Sequence, residues 1–163
     1  MIGLLRSGDE AALAVLVGAE PGAIRLLVAR LWDPDDAVRE RAARALGEAA
    51  IHHEELTRET VRKLLWALND ESGTNGGPGL LALGEIGRRA PALIGPYVPA
   101  LAAMASDTGL RAAVLHALAA IAASAPDLVA PSWPAVAKAV VDFDPGERAA
   151  ADALREALEG RGV

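Results

Sequence analysis

The chain contains no cysteine, and this absence removes several kinds of chemistry at once. Disulfide bonds, thiolate metal sites and cysteine nucleophiles are all excluded. Aromatic residues make up only 3% of the 163 residues, whereas hydrophobic residues make up 52%. Alanine and leucine, which are strong helix formers, fill most apolar positions, and residues that favour strands are scarce. We therefore expect one domain of close-packed helices spanning residues 1–163.

Positive charge is also scarce. The chain has 16 lysine and arginine residues against 22 aspartate and glutamate residues, which gives a net charge of −6. Nucleic acids and anionic membrane surfaces both favour basic proteins, so we expect neither as a partner. A local basic patch is still compatible with this balance, because Arg39, Arg41 and Arg44 fall within one predicted helix and Arg25 lies close to Arg30.

Long apolar segments are missing as well. No run approaches the roughly 18 residues that a membrane-spanning helix needs. The first residues, Met1 to Arg6, are followed by the acidic pair Asp9 and Glu10, and they have no basic start, apolar core and cleavage site of a signal peptide. We therefore expect a cytoplasmic protein.

An internal repeat is the strongest positive pattern. Residues 91–101 read PALIGPYVPAL and residues 126–136 read PDLVAPSWPAV, so three prolines recur at an offset of 35. An aspartate recurs every 37 residues, at Asp33, Asp70, Asp107 and Asp144. A leucine marks the helix that follows each of them, at Leu46, Leu83, Leu118 and Leu154. A period of about 36 residues with two helices per unit indicates a solenoid of helical hairpins.

The same repeat predicts where helices begin. Asp33-Pro34 and Asp144-Pro145 indicate two starts, since the aspartate side chain accepts a free backbone N–H and proline has no N–H to leave unpaired. Apolar periodicity then predicts helices near residues 8–18, 21–32, 35–51, 57–69, 78–90, 91–105, 109–124, 126–140 and 145–159. Residues 1–20 match the repeat poorly and are predicted to cap the first hairpin.

Residues 33–49, DPDDAVRERAARALGEA, resemble the second helix of a HEAT repeat, including the Asp-Pro turn and the Val38-Arg39 pair. They are similar to the HEAT-like repeats first described in phycobilisome lyases, and the resemblance extends over about residues 21–160. It implies an all-α fold, a right-handed α-solenoid of about four HEAT-type hairpins. The implied repeats cover about residues 21–51, 57–90, 91–124 and 126–160. The third helical unit departs from the pattern, because Asn75-Gly76 stand in place of Val38-Arg39.

Equivalent positions of stacked repeats line one surface of a solenoid. Two residues before the marker leucines are Arg44, Leu81, His116 and Asp152, and two residues after them are Glu48, Glu85, Ala120 and Glu156. Each pair is spaced i, i+4, so both members share a helix face. We interpret this stripe as a partner-binding surface. The alternative is an ordinary solvated face with helical charge pairs.

A second candidate surface is the segment from Asn69 to Gly79, which is predicted to be a loop that replaces the first turn of a helix starting near Pro78. Binding residues tend to gather in such loops. We hypothesise a recognition site formed by Asn69, Asp70, Glu71, Ser72 and Asn75. The alternative is a structural junction whose side chains cap neighbouring helix ends.

Catalytic and metal-binding patterns are weak. The cluster His52-His53-Glu54-Glu55 is a possible metal site, since HEAT-repeat deoxyhypusine hydroxylases hold iron with repeated His-Glu pairs. This chain has no second set, and a metal needs several converging ligands. The serines lie in no nucleophile-elbow motif, and neither Lys63 nor Lys138 lies in a phosphate loop. We predict a non-catalytic chain with no metal and no cofactor.

These observations predict a protein-binding scaffold or adaptor whose partner is another protein. The resemblance alone suggests one alternative, a chromophore-lyase-type subunit. A HEAT-like DNA-repair glycosylase is a second alternative, which the acidic charge balance disfavours. Among the tryptophans, Trp66 is predicted to fill the core between helices, while Trp32 and Trp133 are left open between core and interface.

Overall fold

The computed structural model describes residues 1–70, 76–139 and 144–160, and every regular element in these ranges is helical. The all-α class predicted from composition is confirmed for this part of the chain. Its α-helices are α1 (Ile2–Ser7), α2 (Glu10–Ala19), α3 (Ala23–Arg30), α4 (Asp36–His52), α5 (Glu54–Asp70), α6 (Gly76–Arg89), α7 (Pro91–Ile94), α8 (Val98–Ala103), α9 (Arg111–Ser124), α10 (Pro126–Val129), α11 (Trp133–Ala139) and α12 (Pro145–Glu159). None of the described helices is both long enough and apolar enough to cross a bilayer.

The helices that carry the marker leucines pack side by side in chain order. Helix α4 contacts α6, α6 contacts α9, and α9 contacts α12, and these are the most extensive contacts between helices. All four marker leucines are fully buried. Glycine allows the close approach of the first two pairs: a Cβ on Gly47 would lie 2.6 Å from the Glu85 carbonyl oxygen, and one on Gly84 would lie 2.9 Å from the Cα of Ala117.

The shorter helices pack against this row. Helix α3 contacts α4, α5 contacts α4 and α6, α8 contacts α9, and α10 contacts α9. They also contact one another, since α5 meets α7 and α8 meets α11. At the N-terminal end, α1 and α2 both contact α4. The buried side chains between these helices are mainly leucine, alanine, valine and isoleucine and form one hydrophobic core.

Several predicted helix boundaries were wrong. Residues 2–7 form a helix where none was predicted, and α5 begins at Glu54 rather than near residue 57. The helices predicted over 91–105 and 126–140 are broken by 3-10 turns at Gly95–Tyr97 and Ala130–Ser132. Each of these turns contains a proline, which lacks the N–H of a regular helix and clashes with the carbonyl four residues earlier.

The helix cap predicted from the sequence is found at α12 but not at α4. Asp144 accepts a hydrogen bond from the Glu147 N–H at 2.8 Å and Glu147 accepts one from the Asp144 N–H at 3.2 Å, so the predicted start of α12 is confirmed as a capping box. The N-cap of α4 is Asp35, not the predicted Asp33. Asp33 instead accepts from the Asp35 N–H at 3.1 Å and stabilises the preceding turn.

A buried ion pair joins α12 to the start of α9. The Nη1 of Arg111 lies 3.6 Å from the Oε2 of Glu147, and the two side chains are only 10% and 8% exposed. The Nε–H of Arg111 donates to the carbonyl oxygen of Ala105 at 2.8 Å. The pair therefore fixes α9, α12 and the turn before α9 relative to one another.

Candidate functional site

Two members of the predicted stripe, Arg44 and Glu48, line a cleft of about 200 Å³ between α2, α4 and α6. We call it the arginine cleft, since four arginines and two glutamates surround it. These charged residues are Glu10, Arg41, Arg44, Glu48, Arg88 and Arg89, and the apolar floor is Leu13, Ala14 and Ala45. Of the three α4 arginines noted in the sequence, Arg41 and Arg44 line the cleft with two arginines of α6, whereas Arg39 pairs with Asp36.

Most charges of the arginine cleft are paired. Arg44 lies 3.3 Å from Glu10, and Arg89 of α6 forms an ion pair with Glu48 of α4. Arg88 donates to Glu85, which lies outside the cleft, at 2.6 Å. Two of these ion pairs join different helices, whereas charge pairs on an ordinary solvated face would lie within a single helix.

Arg41 is held differently from its neighbours. Its Nη1 donates to the carbonyl oxygens of Leu5 at 2.8 Å and Arg6 at 3.2 Å, at the C-terminal end of α1. These are backbone carbonyls whose helix ends with Ser7, so they have no further helical N–H to accept. Arg41 forms no salt bridge with any described residue.

The stripe continues into a second groove of about 440 Å³, which Glu85 and His116 line together between α6 and α9. The groove thus joins two residues that the repeat register predicted to be neighbours. Asp152 and Glu156 of α12 line neither the groove nor the arginine cleft, and Asp152 pairs with Arg155 at 3.1 Å. The structure thus places Arg44 and Glu48 in one cleft and Glu85 and His116 in one groove.

The predicted Asn69–Gly79 loop is shorter than expected. Asn69 and Asp70 belong to α5, where the Asn69 amide donates to the Leu65 carbonyl at 2.9 Å, and α6 already begins at Gly76. A proline at the third position of α6 breaks no hydrogen bond, because the first four N–H groups of a helix have no intrahelical acceptor. Glu71, Ser72 and Asn75 lie outside the described residues, as does the side chain of Asp70, and their predicted recognition role stays a hypothesis.

The prediction that Trp66 fills the core is wrong, because its side chain is 68% exposed. Helix α5 buries Val61, Leu64 and Leu68, which share one face. Trp66 follows Leu64 by two residues and so points about 200° away from that face at about 100° per residue. The positions of the apolar residues around helix α5 could therefore have shown from the sequence that Trp66 faces away from the core. Trp32 is also exposed, at 46%, and Trp133 is partly buried against the core.

Trp66 forms one wall of an apolar groove of about 570 Å³ between α5 and α8, which we call the Trp66 groove. Its lining is Leu65, Trp66, Tyr97, Ala100, Ala103 and Met104, with Arg62 and Asn69 as its polar members. Arg62 forms no salt bridge with any residue in the described ranges. The groove therefore combines an exposed aromatic anchor with a cation that forms no salt bridge in the described ranges.

A further apolar groove lies on the other side of α5, against α3. It has a volume of about 360 Å³, and the half-exposed Leu56 forms part of its wall. Lys63 lies 2.7 Å from Glu59, and this hydrogen-bonded ammonium lowers the pKa of the Glu59 carboxyl. Helix α5 thus presents apolar surface on both flanks.

The histidine cluster does not converge on one point. His53 Nε2 lies 2.9 Å from the Val17 carbonyl oxygen, and His52 lies 3.7 Å from Glu48. In the part of the chain that the structure describes, no three histidine, aspartate or glutamate side chains are arranged to hold a metal.

The chain matches no family model, no curated protein and no solved structure.

Proposed function

We propose that this chain is a non-catalytic protein-binding scaffold or adaptor of the cytoplasm, built as a right-handed α-solenoid of about four HEAT-type hairpins. The side-by-side row of α4, α6, α9 and α12 supports the solenoid, because each helix has its extensive contacts with its neighbours in the row. The right-handed sense follows the resemblance to HEAT repeats. A solenoid of this kind offers extended surface rather than one deep pocket.

The exposed Trp66 is the observation that carries the binding function. Single exposed apolar residues are common on soluble proteins and need no explanation. Trp66 differs, because it stands beside Tyr97 and Met104 in a continuous apolar groove. Tryptophan and tyrosine are enriched among the residues that contribute most to protein interfaces, and such residues cluster in pockets that exclude water on binding.

The lining of the Trp66 groove indicates the kind of partner segment it accepts. An apolar or aromatic side chain fits between Trp66 and Tyr97, since both present ring surface there. A carboxylate next to that side chain would meet Arg62, whose charge has no salt-bridge partner among the described residues. We infer a partner segment that carries an apolar anchor beside an acidic residue.

Affinity purification from the source cells tests this proposal, with the wild-type chain compared with Trp66→Ala. We expect a partner protein that Trp66→Ala no longer retains, while the melting temperature stays close to wild type because the side chain is mostly exposed. Trp32→Ala is the matched control, since Trp32 is exposed but lies outside the groove. Retention of the same proteins by both variants would contradict the proposal.

A further inference from the structure

The arginine cleft carries a positive charge that its own ion pairs do not cancel. Arg44, Arg88 and Arg89 each have a glutamate partner, whereas Arg41 is held by backbone carbonyls alone. The four arginines of the cleft therefore have three carboxylate partners, Glu10 and Glu48 within it and Glu85 outside it, in a chain whose overall charge is −6.

The weakest of these pairs closes one side of the cleft. The Glu10 and Arg44 side chains are 64% and 45% exposed, and exposed ion pairs contribute little to stability. Glu10 can therefore turn into solvent at small cost, which leaves Arg41 and Arg44 without a carboxylate. The excess then becomes two positive charges, the amount that a phosphate dianion neutralises.

We propose that the arginine cleft is a binding site for a phosphate group, in which Arg41 and Arg44 are the principal ligands and Arg89 assists. Guanidinium groups donate paired, parallel hydrogen bonds that match the oxygens of phosphate. The volume of about 200 Å³ suits a single phosphate group. It is smaller than the roughly 300 Å³ at which pockets for larger organic ligands begin, so any remainder of the ligand lies outside the cleft.

Glu10 competes with the phosphate group in this site, because its carboxylate forms an ion pair with the Arg44 guanidinium when no ligand is bound. The proposal therefore makes a prediction that a merely structural ion network does not make. Removal of the Glu10 charge tightens phosphate binding instead of only loosening the fold. The phosphate group itself has two possible sources, a small soluble molecule or a phosphorylated side chain of another protein.

Titration of the full chain with inorganic phosphate, followed by ¹H–¹⁵N NMR at constant ionic strength with chloride as the reference anion, tests the site. We expect saturable shifts confined to α2, α4 and the end of α6. Arg44→Gln is expected to weaken binding by about tenfold or more, since it removes charge-assisted hydrogen bonds. Arg25→Gln is the matched control, because Arg25 is exposed on α3 and lines a different groove.

Glu10→Gln is expected to tighten phosphate binding, whereas Glu20→Gln, which removes the same charge from an exposed position outside the cleft, is not. A phosphoserine peptide compared with free phosphate then separates the two sources, since the tighter binder identifies which one the site recognises. Shifts that do not saturate, equal weakening by Arg44→Gln and Arg25→Gln, or unchanged affinity in Glu10→Gln would each overturn the proposal. Circular dichroism of every variant checks that the helices remain.

Discussion

Replacement of Arg111 by methionine removes one partner of the buried ion pair and keeps a side chain of similar length. The Glu147 side chain, which is 8% exposed, then keeps one hydrogen-bond donor among the described residues, the Asp144 N–H at 3.2 Å. The substitution also frees the Ala105 carbonyl, which accepted from Arg111 at 2.8 Å. Removing one member of a buried pair typically costs about 3–5 kcal/mol, because the other charge is left uncompensated away from water.

A comparison of two ion pairs shows whether burial or the distance between the charges determines how much stability is lost. Arg155 and Asp152 are closer, at 3.1 Å, but their side chains are 54% and 52% exposed. Arg155→Met is therefore the matched control and is expected to cost less than about 1 kcal/mol. Since each kcal/mol shifts the melting temperature by roughly 2–4 °C in a domain of this size, Arg111→Met is expected to lower it by about 10 °C.

Urea unfolding followed by circular dichroism measures both variants, and Glu147→Leu together with the double variant Arg111→Met, Glu147→Leu completes the cycle. The double variant is expected to be more stable than Arg111→Met alone, because it removes the uncompensated charge as well as its partner. A loss from Arg111→Met no greater than that from Arg155→Met would refute the reasoning. So would a double variant whose two losses simply add.

Three further predictions concern single side chains. Gly47→Ala is expected to lower the free energy of unfolding by about 1–3 kcal/mol, because the added Cβ would meet the backbone of α6. The control is Gly3→Ala, whose Cβ would have no atom within 4 Å and which is expected to stabilise α1 by up to about 1 kcal/mol. Urea unfolding compares the two variants. Thr57→Val is expected to raise the free energy of unfolding by about 1 kcal/mol, because the buried Thr57 hydroxyl has no hydrogen-bond partner among the described residues, and a lower value would argue against this. Lys63→Gln is expected to raise the pKa of Glu59, which NMR of the carboxyl carbon measures directly. Because the pKa of Glu59 is lowered in the folded state, the favourable contribution of this pair is present at neutral pH and is lost as the pH falls through that pKa.

The sequence alone determined the features that depend on neighbouring residues. Composition and apolar periodicity predicted helices, and the repeat identified marker leucines that the structure buries completely, from Leu46 to Leu154. The helix start at Asp144-Pro145 was also predicted, because a cap involves residues only a few positions apart. Such features follow from backbone geometry within one or two helical turns and need no knowledge of the rest of the chain.

Tertiary structure decided which surfaces these helices share. The Arg41 contact with the Leu5 carbonyl spans 36 residues, and the Arg89–Glu48 pair spans 41. Both depend on how closely and at what angle α4 packs against its neighbours, and Gly47 permits the close approach to α6. The Trp66 groove likewise exists only because residues of α5 line it together with Tyr97 and residues of α8, which lie about 30 residues further along the chain. A helical pattern gives the face on which a residue lies, but the partner across that face is set by the packing of helices far apart in the chain.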